Sequence, residues 1–225
     1  MSMAWDSNWE TVFASRPWGK YPGEDLIRFV ARRFFSVEDR SAIKILEVGS
    51  GTGANLWFIA REGFQAYGIE GSASGVKITT QRLNAEVPDW QGNIQQGDIL
   101  SLPFADNVFD AVIDVEAVSC NSFVDSQRIY QEMVRVLKPN GHFYSRCFTA
   151  GSDGDGTGKP LGRGYFLADS GPMAGIGPVR YTSQEDLAEL LPTQLIDLEI
   201  DQMVLRGNLT ATPVKEWMIS GVKVS

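Results

Sequence analysis

Cysteine and histidine are nearly missing from these 225 residues, which hold only Cys120, Cys147 and His142. A zinc or redox centre needs clustered thiols and imidazoles, commonly as Cys-x-x-Cys, and neither cluster nor spacing is present. No metal is expected, and two distant thiols fit reduced residues in a cytoplasmic protein. Asp153-Gly-Asp155-Gly lacks the remaining ligands of an EF-type calcium loop. Positive charge is also short: 20 Lys and Arg against 28 Asp and Glu leave a formal net charge of −8. Such a surface does not track phosphates, so neither nucleic acid nor an anionic membrane is expected as a partner. No apolar run reaches membrane-spanning length. The start, Met1-Ser-Met-Ala-Trp-Asp, lacks the basic and apolar regions of a signal peptide. The Gly-x-Gly-x-x-Gly spacing of nicotinamide-dependent dehydrogenases is absent too.

What is present is Lys44-Ile-Leu-Glu-Val-Gly-Ser-Gly-Thr-Gly-Ala-Asn55. The apolar run reads as a buried parallel strand, and alternating glycines lead from it into a helix. A turn without side chains lets a ligand lie against backbone at the carboxyl end of a strand, where open α/β sheets bind ligands. Glu70 closes a second strand, Gln65–Glu70, and its two oxygens suit a ribose diol. Asp98 closes a third, near Asn93–Gln96, and suits the amino group of adenine. A solvated loop acid and an Asx turn are the plain alternatives for the two.

Strand and helix signals alternate along the rest. Helices are expected from Gly53 to Arg61, from Ser72 or Ser74 to about Asn84, and over Phe123–Leu137. Phe109–Val115 reads as a strand. Lys138-Pro-Asn-Gly141 reads as a turn into a strand His142–Phe148. Capping-box spacing at Thr182-Ser-Gln-Glu-Asp186 opens a last helix. The runs Leu195–Leu205 and Val214–Val224 have no helix between them and are expected to pair as an antiparallel hairpin. Residues 1–225 thus read as one domain. Within it, 1–40 form a helical cap, and 150–181, with nine glycines, form a substrate lid.

Glu47-x-Gly49-x-Gly51-x-Gly53, Glu70, Gly97-Asp98 with Leu102-Pro-Phe104, Phe109-Asp-Ala-Val-Ile-Asp114 and Val136-Leu-Lys-Pro-Asn-Gly-His-Phe143 together resemble the class I S-adenosylmethionine-dependent methyltransferases, closest to type 11. The resemblance implies a Rossmann-like, mostly parallel seven-stranded sheet, order 3-2-1-4-5-7-6 with strand 7 antiparallel and helices on both faces. It implies S-adenosylmethionine as cofactor and S-adenosylhomocysteine as product. Glu47, Gly49, Ser50, Gly51, Gly53, Asp114 and Val115 would line the methionine end. Glu70, Gly71 and Ser72 would hold the ribose, and Asp98 and Ile99 the adenine.

Methyl transfer mainly needs alignment and desolvation, so the lack of a catalytic triad is no objection. If the acceptor arrives protonated, Asp114 and Glu116 stand nearest as bases; cofactor positioning and helix capping are their alternatives. His142 reads as a turn residue and Cys120 as inert. Arg16 and Trp18 are expected over the cofactor, with Tyr21, Tyr165 and Arg180 toward the substrate; a packed aromatic helix is the alternative for the N-terminal group. The expected activity is methylation of a small molecule at oxygen, nitrogen or carbon, by a monomer or homodimer. A non-catalytic methyltransferase-like partner subunit is the other reading.

Overall fold

The computed structural model describes residues 4–207 and 211–225. Buried aliphatic runs make the centre of a seven-stranded sheet: β1 Lys44–Val48, β2 Gln65–Glu70, β3 Gly92–Gln96, β4 Phe109–Val115 and β5 Leu137–Phe148 run parallel. With β9 Leu195–Leu205 and β10 Val214–Lys223, the order is β3-β2-β1-β4-β5-β10-β9, and β10 is antiparallel to both neighbours. The expected hairpin is therefore inserted with its second strand against β5, which is the expected sheet order.

Successive residues of each strand feed opposite faces. Ile45, Ala66 and Ile113 pack with α2 Glu24–Phe34 and α3 Ala54–Arg61. Leu46, Ile69, Val112 and Phe143 pack with α5 Phe123–Val136 and α6 Gln184–Leu190. Among the described residues, no helix is long and apolar enough to cross a membrane.

Two expectations change. The turn at Lys138–Gly141 is absorbed into β5 as an irregularity. Phe109 pairs with Leu137 and Ala111 with His142, so β5 advances five residues while β4 advances two. Asn140 takes φ 62°, and Lys138 Nζ holds Asp110 at 2.7 Å. His142 lies within this strand, edge-on to Phe34, and burial beside Arg33 lowers its pKa.

The segment 150–181, expected as a substrate lid, carries regular structure of its own. It forms a three-stranded antiparallel side sheet, β6 Lys159–Gly162, β7 Tyr165–Leu167 and β8 Val179–Arg180. Gly158 takes φ +68°, and a Cβ there would meet Leu167 O at 2.1 Å, so glycine permits the close strand return. Ala168, Met173, Val179 and Tyr181 bury against Phe148. The acidic pair closes a turn, Asp155 accepting the Gly151 amide at 2.7 Å.

Candidate active site

The turn after β1 is shaped by three left-handed glycines, Gly49, Gly51 and Gly53, at φ 66°, 53° and 79°. The amides of Gly49 and Ser50 donate to Ile69 O at 2.8 and 3.1 Å, tying the turn to β2. Gly53 caps α3. A Cβ on Gly49 would lie 2.2 Å from Ala117 Cβ, so the loop after β4 closes directly over the turn.

Above this turn is a cavity of about 250 Å³. Gly49, Ser50 and Gly51 form its floor, while Glu47, Glu70 and Gly71 line one side and Val115 and Glu116 another. α1, Asn8–Ser15, contributes Trp9 and Phe13 to the roof, and both meet Trp18 edge-to-face at 5.6 and 5.9 Å.

Glu47 is the most unusual group here. Asn55 Nδ2 donates to its Oε1 at 2.6 Å, while Oε2 is buried without a hydrogen-bond partner among the described residues. Burial pushes its pKa up to about 8, and the charges of Asp114 and Glu70 add to this. A buried carboxylate with a free oxygen is a strong attractor for an ammonium group. Glu70 accepts the Gly51 and Ser72 amides at 2.7 and 2.8 Å, and burial raises its pKa as well.

Several expected residues stand elsewhere. Asp114 turns into the protein, accepting Ser145 Oγ at 2.6 Å and the Val118 amide at 3.0 Å. Burial lifts its pKa to about 7, and it holds the turn behind the cavity wall instead of facing a substrate. Of the two candidate bases only Glu116 lines the cavity, at φ 68° and bound to Arg146. Ser72 caps α4 Ala73–Glu86, accepting the Gly75 amide, and its hydroxyl donates to Glu10. Gly53 works as a helix cap outside the lining. Arg16 is exposed and lies over the Trp18 ring at 5.3 Å, outside the cavity. Tyr21 is 70% exposed at the cavity mouth. Tyr165 donates its hydroxyl to Cys120 O at 3.1 Å. Arg180 is fully buried, donating to Thr182 Oγ1 and Ser126 Oγ at 2.5 and 3.3 Å, because β8 turns it into the domain. From the whole insertion, Met173 alone among the described residues reaches the cavity.

The third-strand tip also differs. Gly97 and Ile99 line the cavity, but Asp98 Oδ1 accepts the amides of Ala4 and Leu100 at 3.2 and 2.9 Å. Trp5 lies on Gly71 so closely that a Cβ there would fall 2.1 Å from Trp5 Cδ1. Its indole Nε1 is buried without a hydrogen-bond partner among the described residues. The N-terminal segment thus lies over the tips of β2 and β3. Arg146 was missed altogether; an arginine in the otherwise buried run Tyr144–Phe148 was the one signal for it. Cys120 lines the cavity with its thiol pKa raised by burial, which keeps it protonated.

A Rossmann-like sheet with an antiparallel penultimate strand and a glycine-floored crevice at its switch point defines the methyltransferase fold class. Residues 46–145 match the family described as a methyltransferase domain, and the resemblance to class I S-adenosylmethionine-dependent methyltransferases holds on this match. The chain is 33% identical over 123 residues to phthiotriol/phenolphthiotriol dimycocerosates methyltransferase 1 of Mycobacterium ulcerans (strain Agy99), covering 54% of this chain and 43% of that one. It is 30% identical over 113 residues to norajmaline N-methyltransferase of Rauvolfia serpentina, covering 48% and 38%. The matches thus span about two fifths of those relatives' length. The fold is similar to that of phosphoethanolamine N-methyltransferase 2 of Haemonchus contortus, solved with S-adenosyl-L-methionine. Its TM-score is 0.69 at 16% identity, over 97% of this chain and 56% of that one.

Proposed function

We propose that this chain binds S-adenosylmethionine in the glycine-floored cavity and transfers its methyl group to a small molecule. The observation that carries this reading is the free, buried Oε2 of Glu47 above bare glycine backbone. It suits the amino group of the cofactor's methionine part, with Gly49 and Gly51 leaving room for the chain beside it. Glu70 suits the ribose, since each carboxylate oxygen keeps a lone pair beyond its amide bond. Gly97 and Ile99 suit the base. When bound, the cofactor supplies a methyl group on a sulfonium, an electrophile that needs no protein nucleophile. The aromatic roof covers part of the cavity, and the water it displaces from bound cofactor strengthens these contacts. Relatives named for phthiotriol dimycocerosates and norajmaline support a small-molecule acceptor.

Isothermal titration with S-adenosylmethionine tests the reading, and no heat at high cofactor concentration sinks it. Glu70→Ala is expected to weaken binding by about 1.5–3 kcal/mol, the range for hydrogen bonds to charged groups. An unchanged affinity would mean that the ribose lies elsewhere. Trp5 and Ala4 cover the nucleoside end, so cofactor entry requires them to move. Trp5→Ala is therefore expected to tighten S-adenosylhomocysteine binding by roughly threefold to tenfold, through a larger binding-competent fraction. Weaker binding in that variant would instead make the indole a stacking partner of the base.

A further inference from the structure

Alternate residues of β5, β10 and β9 share one face of the sheet. Register sets Phe148, Glu216 and Met203 in one row and Arg146, Met218 and Asp201 in the next. Between this face and α2 lies a groove of about 820 Å³, which shares Gly23, Glu116 and Arg146 with the cavity described above. The two spaces therefore meet at one small group of side chains.

That group is acidic. Arg146 Nη1 donates to both oxygens of Asp25 at 3.2 and 3.3 Å, and Nη2 donates to Glu116 Oε1 at 2.5 Å. Its Nε stands 3.6 Å from Glu216 Oε1 and has no hydrogen-bond partner among the described residues. Tyr144 donates its hydroxyl to Asp25. Three carboxylates, from α2, the β4 tip and β10, thus face one guanidinium, and Asp201 adds a fourth acid from β9. At the far rim the cations are largely matched, Arg28 by Glu24 and Arg33 by Glu199, with Arg32 beside them. Glu216 is only 3% exposed and has Phe148 and Met203 as strand neighbours, so its one close counter-ion is Arg146, at 3.6 Å and shared with Asp25 and Glu116. Phe29, Met203 and Met218 add apolar surface to the groove beside these charges.

We propose that this groove holds the methyl acceptor and that the acceptor is an amine, its ammonium group seated against Glu116 and Glu216 and its apolar body along Met203 and Met218. The proposal rests on the reading of the adjoining cavity as the cofactor site. Three acids share the single Arg146 guanidinium; an anionic acceptor adds to that excess, a neutral alcohol leaves it in place, and a cation offsets it. The amine must also lose a proton before its lone pair is free, and the Glu216 carboxylate is placed to accept it. Burial and the Glu116 charge push the Glu216 pKa to about 8, so this carboxyl is mostly protonated at pH 7 before a cation arrives. Seating an ammonium there ionises it and releases a proton.

Titrating the full chain with octylamine, octanol and octanoate at pH 7, in two buffers of different ionisation enthalpy, tests this. Octylamine is expected to bind roughly tenfold or more tightly than the other two, with proton release. Glu216→Gln is expected to remove both the preference and the proton release. Met203→Arg, a change on the half-buried rim, is expected to weaken octylamine as well. S-adenosylhomocysteine binding should be unaltered in both variants, and thermal melts confirm that they fold. Equal binding of octanol or octanoate, or an unaltered preference in Glu216→Gln, overturns the proposal. A chain that prefers octylamine but gives no heat with S-adenosylhomocysteine overturns the cofactor reading instead.

Discussion

Gly49→Ala is expected to destabilise the protein by about 2–5 kcal/mol, about 1–2 from a left-handed backbone and about 1–3 from overpacking. The first part follows from φ 66° and the second from Ala117 Cβ, which would stand 2.2 Å from the new methyl group. Gly51→Ala supplies the control. It shares the left-handed backbone at φ 53°, but its Cβ would reach only Phe13 Cζ at 3.4 Å, an ordinary contact. It should therefore cost only the backbone part, about 1–2 kcal/mol. Urea unfolding midpoints of the two variants measure the difference. Equal losses would show that the loop carrying Ala117 yields freely. Cofactor binding should vanish in Gly49→Ala even under conditions where the variant remains folded, since the turn can accommodate the methyl group only by moving.

The second large effect is on pH dependence. Glu47, Asp114 and Glu216 have folded pKa values raised to about 8, about 7 and about 8, chiefly by burial. Unfolded, they titrate near 4.5, 3.8 and 4.5. Between those limits the folded chain binds more protons than the unfolded one, so stability falls as pH rises from about 5 through 8. Each group contributes a slope of at most about 1.4 kcal/mol per pH unit. His142, lowered by burial, acts in the opposite sense, but only below its ordinary value of 6.5. Unfolding at pH 6.5 and 8.5 is therefore the informative comparison. The wild type should lose stability across that interval, and Glu47→Gln, which cannot ionise, should lose distinctly less. Parallel losses would mean that water reaches the Glu47 carboxyl. Cofactor affinity should move oppositely, strengthening with pH as Glu47 ionises to meet an ammonium group.

Much of the fold was legible because each βα unit carries its own punctuation. Gln65–Glu70 and Phe109–Val115 are bounded by glycine, acid or loop residues, and their observed limits match the sequence reading. The glycine turn was legible for the same local reason. The Lys138–Gly141 stretch misled because its turn chemistry is real but occurs inside a strand, where Leu137 already pairs with Phe109. The strands of the insertion were not legible because they are short and glycine-rich and are stabilised by Phe148 and Tyr181, contacts that no local pattern announces. Side-chain direction at the strand tips was least legible. Asp98 and Asp114 stand at the expected places in the chain, but each turns to a donor brought by a separate segment, the Ala4 amide for Asp98 and the Ser145 hydroxyl for Asp114. Arg146 escaped because its partners, Asp25, Glu116 and Glu216, come from three other elements and converge only in the folded sheet.

Arg180 finally bears on how small molecules move in and out. Its guanidinium is locked inside the domain through Ser126 on α5 and Thr182, with no carboxylate to accompany it outward. Swinging the side sheet away would strip those bonds and drag the Val179 and Tyr181 side chains through solvent. Residues 150–181 are therefore expected to stay in place when a small molecule enters, and hydrogen exchange at the β8 amides with and without S-adenosylhomocysteine checks this.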